Sequence, residues 1–170
     1  KYRKGLILDK DKKLADVSGS YTYFAENDVL LAKITPCFEN GKLGIATGLT
    51  NGIGFGSSEF IVFRPNDSLN SEYLYHFLNR ASLRAQGQLV MTGAVGHKRV
   101  PKEFIENLTI PLPPISEQKD RVNILGELSV EIEALESVYQ TKLKSLEELK
   151  KSLLQKAFSG ELTKSKGIAA

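Results

Sequence analysis

The chain is 170 residues long, 41% hydrophobic and 25% charged, which is room for one globular domain plus an extension. No apolar run approaches the roughly 20 residues of a membrane-spanning helix, and the first residues form no signal-peptide core. A lone cysteine, Cys37, excludes an intrachain disulfide or a multi-cysteine zinc site; with a mild net charge of +3, the cytoplasm is the expected compartment. The opening "KYRKGLILDKDKK" offers no clear strand or helix cap, so an upstream segment is expected before it. Residues 28–34 (DVLLAKI) and 59–65 (EFIVFRP) are short apolar runs bounded by turn-forming residues, which predicts strands. Residues 42–48 come after the turn signal Asn40-Gly41 and read as another strand, whereas the glycine-rich 51–58 reads as a loop. A helix is predicted over 71–86, capped by Ser71, with Leu74, Phe77, Leu78 and Leu83 on one stripe. Residues 92–100 (TGAVGHKRV) read as a loop, Pro101 as the start of a short helix, and "NLTIPLP" (107–113) as a final strand.

Beyond Pro114 the chain runs for more than forty residues without another proline. Pro113 and Pro114 cannot sit inside a helix, and Ser116 can cap the first free N–H groups of one. An apolar 3,4 repeat then runs through Leu125, Leu128, Ile132, Leu135, Tyr139, Leu146, Leu149 and Leu153, interrupted by Lys142 and Lys156. Such a helix is about 65 Å long at roughly 1.5 Å per residue. Val122, Ile124, Val138, Leu143 and Ala157 widen the stripe beyond a two-helix seam, so it also suits additional protein. Acidic residues lead (Glu127, Glu131, Glu133, Glu136) and lysines trail (Lys150, Lys151, Lys156), which favours antiparallel pairing with a similar helix. Gly126, inside the helix, costs about 1 kcal/mol and marks a close approach. The expected fold is therefore α+β. A domain of mixed β-sheet and short helices spans residues 1–112, one long coiled-coil-type α-helix 113–160, and a frayed tail 161–170.

Motifs that would carry catalysis are missing. There is no phosphate-binding P-loop, and Gly52, Gly54 and Gly56 form GxGxG rather than a dinucleotide fingerprint. His76 has no second histidine at ligand spacing, Cys37 has no adjacent base, and Glu39 with Lys42 lacks the acidic partner a metal-dependent nuclease needs. The Asn/Asp-Pro-Pro-aromatic signature of amino-methyltransferases is also absent. No catalytic or metal site is expected. Charge is more informative, because from Tyr73 to Lys102 there is no Asp or Glu, while Arg80, Arg84, Lys98, Arg99 and Lys102 are cationic. That is the footprint expected for a polyanion. Candidate nucleic-acid contacts are Lys33, Thr35, Asn40 and Lys42 on one loop, Ser57 on a second, and His97, Lys98 and Arg99 on a third, with Lys102 just beyond. An arginine there can address guanine with two parallel hydrogen bonds.

"IPLPPISEQKDRV" (110–122), with "LEELKKSLLQKAFSGEL" (146–162) after it, resembles the spacer region of the specificity subunits of type I restriction–modification systems. "NDVLLAKITPCFENGKLGIA" (27–46), "GFGSSEFIVFRP" (54–65) and "TGAVGHKRV" resemble that family's target recognition domain. The resemblance implies a non-catalytic subunit in which recognition domains each read half of a bipartite DNA sequence. Two long helices pair antiparallel as a ruler between the half-sites. The implied partners are double-stranded DNA, methyltransferase subunits, a restriction/translocase subunit joined through the complex, and a second specificity half or second copy. S-adenosylmethionine, ATP and magnesium belong to the partner subunits and none is expected here. The usual pattern has two recognition domains and two spacer helices; this sequence has one of each, so it is either a half-subunit or a piece of a longer chain. Two other readings stay open: a recognition module of a fused restriction–methylation enzyme, and a coiled-coil scaffold with no DNA role.

Overall fold

The computed structural model describes residue 6, residues 11–17, residue 19 and residues 21–162. Most of the opening segment and most of the tail expected to fray lie outside these. The fold is α+β. Its strands are β1 (Thr22–Ala25), β2 (Val29–Ala32), β3 (Leu43–Ile45), β4 (Ile53–Gly56) and β5 (Phe60–Phe63), and its helices α1 (Ser71–Leu78), α2 (Ala81–Val90), α3 (Lys102–Glu106) and α4 (Ile115–Phe158). Packing divides the chain into a first unit running to Leu125 and a second starting at Gly126. The long helix runs from Ile115 to Phe158, and packing carries the first unit some way along it.

β2 is the hub. It pairs antiparallel with β3 on one side and β5 on the other, and all four of its residues are buried. Successive side chains of a strand point to opposite faces. Val29 and Leu31 accordingly join Phe38, Ile45, Leu74, Tyr75, Leu78, Leu83, Val100 and Ile105 in one core, while Leu30 joins Phe24 and Ala46 in another. Each fully buried Leu or Val here is worth about 1.5–3 kcal/mol. The entry into β2 is fixed by Asp28, which is 1% exposed and accepts two hydrogen bonds from Arg64 (2.9 and 2.7 Å) and one from the Ala25 N–H (2.7 Å).

The glycine-rich 51–58 contains strand β4, which pairs in register with β1, a strand with no clear signal in the sequence. The aromatic ring of Phe24 accounts for Gly54, and that of Phe60 lies nearest Gly56. A Cβ on Gly54 would lie 2.3 Å from the Phe24 ring, so a side chain at that position has to displace the ring. The single helix expected over 71–86 is two. Arg80 is extended (φ −65°, ψ 135°), its guanidinium lies 3.8 Å from the Phe77 ring centroid, and Arg84 Nη1 donates to the Asn79 carbonyl at 2.6 Å. The cap of α1 is Asn70, whose Oδ1 accepts the Tyr73 N–H at 2.9 Å; Ser71 instead donates to the Asn27 carbonyl. No strand forms over 107–113. Prolines 111 and 113 remove two ladder donors, and the segment is held by Leu108 and Ile110 against the core and by Tyr73 Oη donating to the Pro111 carbonyl.

α4 begins at Ile115, so Ser116 lies in its first turn and not at its cap. Gln118 has 0% exposure. Its Nε2 donates to the Ser68 and Pro113 carbonyls, both at 2.8 Å, and its Oε1 accepts the Asn70 N–H at 2.9 Å. Val122, one turn on, is also buried.

Candidate nucleic-acid interface

Where β2 ends, the chain enters residues 33–42, a compact turn held by its own backbone. Phe38 N–H donates to the Ile34 carbonyl, Asn40 N–H to Pro36 and Lys42 N–H to Cys37, with the fully buried Phe38 ring as anchor. Gly41 takes a left-handed φ of +65° beneath Arg84, whose side chain leaves little room for a Cβ there. The loop 92–99 docks on the start of this turn. Thr35 N–H donates to the Lys98 carbonyl and Val100 N–H to the Lys33 carbonyl, each at 2.9 Å. Thr92 and Arg99 exchange both backbone hydrogen bonds (3.0 and 2.8 Å), closing the loop on itself. Between them Gly93 and Gly96 adopt φ of +125° and +80°, so the loop's tight reversal depends on residues without a Cβ.

The loop after β4 forms the third wall. Lys33 N–H donates to the Glu59 carbonyl at 2.9 Å, and Glu59 N–H donates to Ser57 Oγ at 3.1 Å. The carboxylate of Glu59 grips Arg99 with two arms, Nη2 to Oε1 at 2.7 Å and Nε to Oε2 at 2.9 Å. Hydrogen bonding from Arg99 is the main reason the Glu59 carboxyl titrates below its ordinary range; partial burial pushes the other way, and the charges of Arg99 and Lys33 add to the lowering.

The structure therefore brings Lys33, Thr35, Ser57, Lys98 and Arg99 into one hydrogen-bonded cluster, with His97 exposed on the same loop. Thr35 spends its hydroxyl donor on Glu39 at 2.8 Å. Asn40 and Lys42 are exposed where the 33–42 turn comes back to the sheet, the Lys42 carbonyl accepting the Ala32 N–H at 3.0 Å. Lys102 is on α3 and pairs with Glu106 at 2.6 Å, outside the cluster's bonding. Two participants carry no signal in the sequence. Glu59 reads there as the first residue of an apolar strand, and its partner is 40 positions away. Arg84 reads as one more cation, yet its role is to cover Gly41 and hold Asn79.

α4 offers a different kind of surface. Leu125, Leu128, Ile132, Leu135, Tyr139, Leu146, Leu149 and Leu153 are between 39% and 61% exposed. Val138, Leu143 and Leu154 lie exposed along the same helix. No helix among the described residues is long and apolar enough to cross a membrane.

A family model described as the type I restriction modification DNA specificity domain matches residues 5–152. The chain belongs to this family. Specificity-domain relatives include the EcoAI specificity subunit of Escherichia coli, 41% identical over 158 residues, and the EcoEI specificity subunit of the same organism, 42% identical over 144 residues. The matches cover 92% and 84% of this chain but 26% and 24% of those proteins, so it spans about a quarter of their length. The crystal structure of the HsdS subunit from Thermoanaerobacter tengcongensis superposes with a TM-score of 0.55 at 26% identity, over 81% of this chain and 31% of that one. A chain from a structure of type I R-M complex assembly gives a TM-score of 0.60 at 24% identity, over 80% and 31%, and shows the shared fold.

Proposed function

We propose that this specificity-family chain reads one half of a bipartite duplex DNA sequence for a type I restriction–modification assembly, without chemistry of its own. The observation that carries this reading is the cluster at the end of β2. Three segments far apart in sequence are knitted by backbone hydrogen bonds into one rigid rim bearing Lys33, Lys98 and Arg99, flanked by Lys42 and His97. A rim of fixed backbone with exposed cations suits DNA, because phosphate contacts set the register and neighbouring side chains then meet base edges. Direct contacts are assigned to Lys33, Thr35, Asn40, Lys42, Ser57, His97 and Lys98, with Lys102 as an outlying phosphate contact. The exposed apolar face of α4 pairs antiparallel with a like helix, from a second specificity half or a second copy, and carries methyltransferase-docking surface on its wider flank. S-adenosylmethionine, ATP and magnesium act on the methyltransferase and translocase partners, and the assembly works in the cytoplasm.

Gel-shift selection from a library of randomised duplexes, with and without methyltransferase, tests this. Enrichment of one half-site by the chain is the expected result. Indifference to sequence under both conditions rejects the reading.

A further inference from the structure

Arg99 offers the best fork of donors in the loop cluster, and the molecule already uses it. Nη2 and Nε engage the two carboxylate oxygens of Glu59, and Nη1 donates to the His97 carbonyl at 3.1 Å. The backbone of Arg99 is tied to Thr92, and the loop it closes is tied to Lys33 and Thr35. Glu59 is fixed just as firmly, its N–H on Ser57 and its carbonyl on Lys33. The ion pair thus ties segment 57–59 directly to loop 92–99, beside the backbone bonds through which each of them meets 33–35. A planar guanidinium meeting a carboxylate with two parallel bonds is the geometry in which such a pair has most positional strength.

We propose that Glu59 and Arg99 are positioning residues: their two-armed pair holds loop 92–99 in the shape that presents His97 and Lys98 to duplex DNA, and Arg99 itself reads no base. The inference rests on the DNA-reading role proposed above. The sign of one charge supports it. A carboxylate on a DNA-facing rim repels phosphate, so Glu59 has a cost to binding that only a gain in loop order offsets. A ligand role for Arg99 and a positioning role therefore make opposite predictions for Glu59→Gln. Removing the acid frees a ligand arginine and lowers repulsion, whereas it releases a positioned loop.

The test uses the full chain with its methyltransferase and the duplex selected by the unaltered protein, against a scrambled duplex. Under the positioning role, Glu59→Gln binds the selected duplex about tenfold more weakly while its affinity for the scrambled duplex is unchanged or higher. The charge swap Glu59→Arg with Arg99→Glu returns binding to within about threefold of the original, with the same salt dependence. Equal or tighter binding of the selected duplex by Glu59→Gln overturns the inference. So does a swap variant as weak as Arg99→Gln with its salt slope reduced by about 1, which is the mark of a lost phosphate contact. If the swap loses native circular dichroism, Arg99→Lys decides: the positioning role makes it as weak as Arg99→Gln, and near-original binding overturns that role. Failure of the unaltered chain to select any sequence removes the DNA-reading role and this inference together, and is distinguishable from the other outcomes.

Discussion

Asp28 is a buried acid that stays charged. Burial is the largest influence on it and raises its pKa; the hydrogen bonds from Arg64 and the Ala25 N–H, with the Arg64 charge, outweigh that and leave the carboxyl below its ordinary range. A carboxyl with a depressed folded pKa contributes stability that is complete above the unfolded value, about 3.9, and is lost as pH falls through the lower folded value. Thermal unfolding measured from pH 7 down to pH 2 is expected to show a loss below about pH 4 that is shallower in Asp28→Asn, whose side chain does not titrate. Parallel profiles for the two proteins would dismiss Asp28 as the source. Gly54 makes a second prediction at this scale. With a Cβ only 2.3 Å from the Phe24 ring, Gly54→Ala is expected to cost about 1–3 kcal/mol in chemical denaturation, and Phe24→Leu in the same chain to recover part of it. An Ala variant as stable as the original would mean the ring has room to move.

Among the elements, β2 is legible in the sequence because its apolar run is central to a sheet covered on both faces, and length and bounding residues then suffice. β4 is not. Gly52, Gly54 and Gly56 look like a loop in one dimension, yet Gly54 and Gly56 lie in a strand that pairs with β1, and aromatic rings of Phe24 and Phe60 fill the space beside them. The break at Arg80 is hidden for a similar reason, since no Gly or Pro marks it and its causes are contacts of Arg80 with Phe77 and of Arg84 with Asn79. In the candidate interface, the exposed cations can be read from composition, but the acid that organises them cannot, because nothing local ties Glu59 to a loop 40 residues on. The start of α4 is legible at its prolines, and the use of Gln118 emerges only in the fold. Gln118→Ala is expected to cost about 1–3 kcal/mol, as the Asn70 N–H loses its acceptor in a partly buried site. Gln118→Glu, which turns a donor toward the Ser68 and Pro113 carbonyls into an acceptor, is expected to cost more, and urea titration of both variants measures the difference.

For the whole molecule, two surfaces have opposite character: a cationic rim built by tertiary hydrogen bonds, and an apolar helix face left in the open. Because Leu135 and Leu146 are 54% and 61% exposed, Leu135→Asp with Leu146→Asp is expected to leave monomer stability within about 0.5 kcal/mol per site. The same pair of changes is expected to weaken association with a second copy or with methyltransferase by at least about tenfold in sedimentation experiments. Unaltered association would place the working face of α4 elsewhere. Gln118 bears on this surface too. It stands seven residues before Leu125, so both occupy the same side of α4. Its three bonds lock the rotation of the helix's opening turns about their own axis. They set the phase at which the apolar row begins at Leu125, and each residue inserted or deleted between the two turns that starting point by about 100°. The opening of α4 is thus indexed like a keyed shaft, tolerant of changes in its exposed side chains and intolerant of a change in their count.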